Sequence, residues 1–371
     1  MKHSITAPDI KSRNLRSIFE LARRQGEVQR PEISRETGLT PPTVMKAAQQ
    51  LVDRKILIES GEAETALGRR PVRLVFNPSA ALAVGVVFEG EDMHAGLVDL
   101  AGGVLRSMRM PMRHAFNQET VAAISDCVRR LVASAPAPVL GVGLGVPGVV
   151  DAARGCIVFA PLIGITEPCD CTGICREIEQ ETGLPVFLEN DVNAMASGEF
   201  FIRRLDAEED LLYVSVGTGI GAGILLNGRL RRGARNLAGE LGYAVSHAGF
   251  PVDRNRPGWL ESQIGMEALK RHFTWTDGVE GGAVPDGLVG YVGEHLAPVV
   301  ANMANQLDIR LVVLGGLAFD VFGKPLFEDL VRRIDRLSLE ACSVEPPACE
   351  EPGIIGAAVL AFEQRLDAWL A

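Results

Sequence analysis

The chain changes texture near Leu82, and that change rules out a single layered core. Upstream, apolar residues recur at helical spacing and prolines stand where helices would begin. Downstream, short glycine-rich apolar runs alternate with helical stretches, the pattern of an α/β body. At 371 residues the chain has room for two or three cores, and its 47% of apolar residues is enough to fill them.

Charge divides the chain at the same place. Residues 1–77 carry 14 Lys and Arg against 9 Asp and Glu, a net of +5, and the rest carries 23 against 38, a net of −15. A basic head on an acidic body fits a protein that meets phosphate at one end only. Seven cysteines at irregular spacing do not make a disulfide framework. The N-terminus is unlike a signal segment. The most apolar stretch, 139–150, is short and broken by glycines and Pro147, so it reads as a buried strand and turn. These features predict a soluble, cytoplasmic protein with reduced thiols and no membrane partner.

In the head, Leu15, Ile18, Phe19 and Ala22 share one helical face. Pro31 opens a second short helix that stops at Gly38. Thr40 caps a third, with Pro41 at its first position. Val44, Ala48 and Leu51 of that helix face inward, while Pro42, Thr43, Lys46, Gln49 and Gln50 face out. Two helices joined by a tight glycine turn form a helix-turn-helix, whose second helix enters the major groove by its N-terminal part. Thr43 can touch a thymine methyl or phosphate, Gln49 an adenine edge, and Lys46 guanine or phosphate. Ile56-Leu57-Ile58 and Val72-Arg73-Leu74-Val75-Phe76 read as strands flanking a wing that ends in Gly68-Arg69-Arg70-Pro71. Arg69 and Arg70 suit a phosphate backbone or a narrow minor groove. A helical protein-interaction module with a solvated basic face is the alternative.

In the body, strands are expected at 83–87, 95–100, 139–146, 186–188, 211–216, 223–226 and 311–314, with a turn at Gly145-Val146-Pro147-Gly148-Val149-Val150-Asp151. The runs Leu188-Glu189-Asn190-Asp191-Val192-Asn193-Ala194, Gly217-Thr218-Gly219-Ile220-Gly221-Ala222-Gly223 and Ala238-Gly239-Glu240-Leu241-Gly242 resemble the ROK family of repressors and sugar kinases. Gly258-Trp259-Leu260-Glu261-Ser262, Leu314-Gly315-Gly316 and Gly356-Ala357-Ala358 also fit. The head and its wing resemble those of the family's regulators, which the kinases lack. The resemblance implies an α/β fold: an N-terminal winged helix-turn-helix (1–78) plus a two-lobed actin/hexokinase-like, ribonuclease H-like body. Residues 79–190 would form the first lobe, with the C-terminal helix 353–371 returning to it, and 191–352 the second.

The resemblance also implies a sugar site at the bottom of the interlobe cleft. Asp191 stands at the family's catalytic-base position, and Asn190, Asp191, Glu240 and Glu261 match its sugar-contacting positions. A carboxylate accepts hydrogen bonds from sugar hydroxyls whether or not chemistry follows, and ordinary loop carboxylates or helix caps are the alternative. Gly217, Thr218, Gly219 and Gly221 either cradle phosphate through backbone N–H groups or form a tight hairpin. The family's first phosphate loop, Asp-x-Gly-Gly-Thr-Lys, is degenerate: Val87 falls at the Asp, and Glu89-Gly90-Glu91-Asp92 at Gly-Gly-Thr-Lys. Carboxylates there would repel a triphosphate, so loss of kinase activity is expected, with no catalytic residue in use and no cofactor.

The family's structural zinc is not expected either. Tyr243 replaces its histidine, the loop at 250–259 lacks cysteine, and tetrahedral zinc wants four N/S ligands. His247 reads as a surface or core histidine, and Cys169, Cys171 and Cys175 as packing thiols. Tyr243 could still hydrogen-bond a sugar. The function implied is a sugar-responsive transcriptional regulator, a repressor, acting as a homodimer or homotetramer on double-stranded operator DNA with a small-molecule sugar effector. An ATP-dependent sugar kinase with a fused DNA-binding head is the alternative, and a ligand-independent DNA scaffold a third.

Overall fold

The computed structural model describes residues 7–60, 64–65, 68–69, 72–90, 92–111, 118–245, 250, 252–253, 255–273 and 284–370. The head opens with helix α1 (Ala7–Gln25), strand β1 (Glu27–Gln29), α2 (Arg30–Thr37) and α3 (Pro41–Asp53). Helix α2 begins where the Glu32 carboxylate accepts the Gln29 N–H at 3.3 Å, and it ends at Gly38 in the left-handed region (φ 68°). Then come β2 (Leu57–Ser60), β3 (Glu64–Thr65), β4 (Gly68–Arg69) and β5 (Arg73–Phe76). Strand β5 pairs antiparallel with both β2 and β1, and β3 with β4. Leu15, Ile18, Phe19 and Ala22 are buried as expected, against Val44, Leu51, Leu74 and Phe76. Phe19 meets Phe76 edge-on at 5.5 Å. The β1 strand was not anticipated.

The first lobe comprises β6 (Leu82–Glu89), β7 (Asp92–Asp99), β8 (Val104–Pro111), α4 (Gln118–Ala133), β9 (Val139–Val146), β10 (Val149–Asp151), β11 (Cys156–Phe159), β12 (Cys169–Asp170), α5 (Thr172–Thr182), β13 (Val186–Asn190) and α6 (Asp191–Ile202). The second comprises β14 (Leu211–Val216), β15 (Ile220–Leu226), β16 (Arg229–Leu230), α7 (Trp259–Ile264), α8 (Met266–Phe273), α9 (Leu288–Leu307), β17 (Leu311–Gly315), α10 (Leu317–Leu337) and β18 (Ser343–Glu345), and α11 (Pro352–Leu370) closes the fold. The two main sheets share one topology. Their orders are β13-β9-β6-β7-β8 and β18-β17-β14-β15-β16, each with three antiparallel strands followed by two parallel ones. The body is thus the expected pair of lobes with a common sheet plan.

Strand β6 shows how the layers are set. Leu82, Val84, Val86 and Phe88 point to the core covered by α4, while Ala83 and Val87 point to α11. The second sheet likewise turns Leu212 and Val214 toward α9 and α10, and Leu211 and Tyr213 toward α6. Helices α6 and α11 therefore form the middle layer. Each follows one sheet in sequence and packs on the other. At their crossing the backbones touch: a methyl group on Gly356 would overlap the Ala194 carbonyl, and one on Gly198 the Pro352 carbonyl.

The head is not hung on a free linker. Its core runs on into Phe362, Leu366 and Leu370 of α11. Arg16 pairs with Asp367 at 3.2 Å, and Arg54 donates to the Trp369 carbonyl at 2.6 Å. On the other side Arg24 pairs with Asp206, Arg204 donates to the Arg24 carbonyl at 3.0 Å, and Arg23 lies 4.0 Å over the Phe201 ring. Helix α1 thus touches α11 and the segment that leads from α6 to the second sheet. Among the described residues no helix is long and apolar enough to cross a membrane.

The crossing yields a prediction. Gly356→Ala forces two backbones apart and should cost about 1–3 kcal/mol, read as a lowered Tm. Gly173→Ala, in open space on α5, should leave Tm unchanged or raise it. Equal Tm values for the two variants would show that the crossing yields at no cost.

Candidate functional site

The cleft between the lobes is built around the junction of β13 and α6. Asn190 caps α6: its Oδ1 accepts the Asn193 N–H at 2.9 Å, and its Nδ2 donates to the Gly148 carbonyl at 2.9 Å and to Asp191 at 3.0 Å. The capping amide therefore ties α6 to the Pro147-Gly148 turn and orients the next carboxylate. Asp191 accepts its remaining bond from the Val192 N–H at 2.8 Å. Burial pushes its carboxyl up to about 7, the nearby charge of Glu89 adds to this, and the hydrogen bonds from Val192 and Asn190 oppose it.

The opposite wall comes from the second lobe. Glu240 precedes a single helical turn, Leu241–Tyr243, and Glu261 lies in the first turn of α7. Burial, with the charges of Glu261 and Asp191, pushes Glu240 up to about 7. Burial also raises Glu261, against the pull of the Ile220 and Gly258 amides. The Glu261 Oε1 accepts the Ile220 N–H at 3.0 Å. Tyr243 lines the cavity with its ring, edge-on to Phe159 at 6.2 Å. Its hydroxyl donates to the Arg256 carbonyl at 3.0 Å, so toward a ligand in that geometry it would serve as an acceptor. The structure therefore gathers Asn190, Asp191, Glu240, Tyr243 and Glu261 around one cavity of about 170 Å³, with Phe159, Leu162 and Met195 as its apolar wall.

The glycine loop is a hairpin. Gly217, Thr218 and Gly219 turn between β14 and β15, with Val216 opposite Ile220. Gly221 lies inside β15 against Val192 rather than in the turn. The Gly217 N–H donates to the Gly219 carbonyl at 2.9 Å, and Glu261 takes the Ile220 N–H. Two amides that could face an anion are thus already used.

The degenerate first loop behaves partly as expected. Val87 is buried, and Glu89 lines the cleft with a carboxyl raised by burial and by the charge of Asp320, against His94 and Arg109. Asp92 does not face a phosphate position: its carboxylate accepts Arg109 Nη2 and Nε at 2.5 and 2.8 Å across to β8. The expectation that three carboxylates point into the cleft is therefore corrected to Glu89, with Glu91 lying outside the described residues.

Sequence reasoning did not anticipate a half-buried ion pair behind the site. Glu189 accepts Arg232 Nη2 and Nε at 2.5 and 2.8 Å, and Asn193 and the Asn190 N–H at 3.1 and 2.9 Å. Glu189 stands inside a quoted motif, but nothing near Arg232 signalled its partner.

The resemblance sets a structural zinc beside Tyr243 and the 250–259 segment, where thiolate or imidazole ligands would be needed; among the described residues there, none supplies one. Tyr243 is committed to a backbone carbonyl, and Phe250, Asp253 and Arg256 offer no thiolate or imidazole set. His247 lies outside the described residues. Cys171 and Cys175 pack in the first lobe, where burial pushes their thiols up to about 12 and about 11, against thiolate chemistry.

In the head, α3 exposes Pro42, Lys46 and Gln49, with Thr43 half-buried. Thr43 shares a 2.9 Å hydroxyl hydrogen bond with Thr40, and Gln49 donates to Asp53 at 2.9 Å, which takes one of its two amide N–H groups. Met45, 62% exposed between them, was missed; its apolar tip suits a thymine methyl. At the wing position Gly68 and Arg69 form β4 against β3. The Arg69 side chain and all of Arg70 lie outside the described residues.

The raised carboxyls give a pH prediction. A carboxyl raised on folding holds its proton longer in the native state, so its contribution is full below about pH 4 and is lost as pH rises through about 7. Asp191→Asn removes that loss. Its stability gain over the parent chain, read as a Tm difference, should grow from pH 5 to pH 8, reaching about 1–3 kcal/mol. A gain independent of pH would show that the carboxyl is ionised in the native state throughout.

The ROK family profile matches residues 83–364. The chain is 26% identical over 344 residues to a xylose repressor of Caldicellulosiruptor bescii, covering 85% of each. It is 24% identical over 332 residues to the DNA-binding transcriptional dual regulator NagC of Escherichia coli, covering 83% of this chain and 81% of that one. Among solved structures, a ROK family transcriptional regulator homologous to the E. coli MLC protein superposes with a TM-score of 0.75 at 21% identity, over 97% of this chain and 98% of that one. A ROK hexokinase from Thermus thermophilus superposes with a TM-score of 0.63 at 29% identity, over 77% of this chain and 99% of that one. The body thus has the hexokinase-like fold, the regulator structure is matched through the head as well, and the chain belongs to the ROK family.

Proposed function

We propose that this chain is a sugar-responsive transcriptional regulator, a repressor, that binds operator DNA through α3 and the wing and a sugar in the interlobe cleft, with kinase chemistry lost. The observation that carries the reading is the seat of the head. Helix α1 is fixed to Asp367 on α11 and to Asp206 beyond α6, so it touches the two helices that join the lobes. A sugar bridging Asp191 and Asn190 on one wall to Glu240 and Glu261 on the other favours one lobe arrangement. Any rotation of the lobes then shifts α1 and the α3 it carries. The shift requires different sugar affinities in the two arrangements, a coupling of about 1–3 kcal/mol. Two such heads in a dimer or tetramer would read half-sites about one helical turn apart, or multiples of it. The names of the two relatives, a xylose repressor and a transcriptional dual regulator, support this reading.

The hexokinase likeness favours a second reading, a sugar kinase with a fused head, and a cleft carboxyl raised to about 7 at Asp191 would suit its base. ATP-dependent phosphorylation of a hexose, abolished by Asp191→Asn, would establish it.

The deciding experiment is capture of genomic DNA fragments by the purified chain, with sequencing of what is retained. Recurrent sites that a sugar releases are expected; no enrichment from folded protein overturns the regulator. With a captured site in hand, Gln49→Ala should change the ranking of site variants, with about 1–3 kcal/mol of base discrimination lost. Lys46→Ala should lower the salt slope by about 1. Glu240→Ala should abolish the Tm rise that the releasing sugar gives.

A further inference from the structure

We propose that Glu89 makes the cleft selective for uncharged sugars over their phosphate esters. The inference rests on the sugar-binding reading above and names the class of ligand that site accepts.

Three features of the cavity point the same way. Its lining carries four carboxylates, Glu89, Asp191, Glu240 and Glu261, and no Lys, Arg or His among the described residues. A phosphate ester carries close to two negative charges at neutral pH and needs cations or free amides to replace its water. The protein has instead filled its own anion sites. At the start of α6, Asn190 and Asp191 occupy the Asn193 and Val192 amides, the place where a helix terminus would otherwise hold phosphate. At the hairpin, Glu261 occupies the Ile220 amide and Gly219 the Gly217 amide. What remains for a ligand is a set of acceptors and an apolar wall, which suits hydroxyl donors and the C–H face of a sugar ring.

Glu89 lies outside the sugar-contacting positions read from the sequence, which set it only against a nucleotide's phosphates. It ends β6 on the first lobe and lines the cavity together with the hairpin residues Gly217, Thr218 and Gly219, and the charges that act on it are His94 and Arg109, which pull its carboxyl down, and Asp320, which pushes it up. Arg109 is engaged by Asp92, and His94 stands on β7 outside the lining. Asp320, at the start of α10, adds a further negative charge on that side. An anionic group on the ligand's exposed end would meet these carboxylates in a cleft of low dielectric.

The test is calorimetric titration and thermal shift of the full chain at pH 8 and low ionic strength. The probes are matched pairs: glucose, xylose and N-acetylglucosamine, each against its own terminal phosphate ester. For any sugar that binds, its ester should bind at least about tenfold more weakly, with added salt narrowing the gap. Glu89→Gln, which keeps the shape and removes the charge, should shrink the ratio several-fold. If that variant fails to fold, Glu89→Ser reports the same ratio. An ester that binds the parent chain as tightly as its sugar overturns the proposal and leaves the sugar site standing, as does a ratio indifferent to Glu89 and to salt. If no member of any pair binds, the sugar reading itself falls, and this inference with it.

Discussion

The backbone-to-backbone crossing of α6 and α11 is the constraint on which the rest of the molecule depends. Gly198 and Gly356 let the two helices approach until carbonyl oxygens fill the space where side chains would stand. Because each helix follows one sheet and packs on the other, the crossing joins the lobes while leaving them separate bodies. The same two helices serve both ends of the molecule. The N-terminus of α6 presents Asp191 to the cleft, and the far end of α11 carries Phe362, Leu366 and Leu370 into the core of the head. The crossing therefore stands directly between the cleft and the head.

The cleft's chemistry follows from a second economy. Two positions at which this architecture could meet an anion are occupied by the protein's own oxygens: a helix terminus by its cap and a hairpin amide by Glu261. Burial then raises the same carboxyls toward neutrality, so that a hydroxyl-rich ligand finds groups able to accept hydrogen bonds and, when protonated, to donate them.

Much of this was legible in the sequence where burial on both faces left no choice of residue. The runs at 139–146 and 211–216 are strands with the expected limits because every position faces a core. The limits of β6 were too short because it continues past the apolar run to Glu89, and that extension is what brings Glu89 to the cleft. Strand β8 is half-exposed and alternates weakly, and β1, β12, β16 and β18 are only two or three residues long, below the length at which periodicity speaks. The site residues were reached through motif resemblance, and they do converge. The hydrogen bond from Tyr243 to Arg256, the Glu189–Arg232 pair and the Asp92–Arg109 pair depend on side-chain direction across separate segments, which spacing does not encode. On α3 the inward face was readable from its period, whereas Met45 escaped notice because a hydrophobe on a helix is read as core.

The late position of α11 has a consequence for how the protein is made. The face of β6 that bears Ala83, Gly85 and Val87, and the underside of the head, have no cover until this last of the described helices has left the ribosome. Head and first lobe are synthesised early but finished late. A nascent chain therefore exposes apolar surface at its basic end until α11 emerges, and the head gains its final support only then.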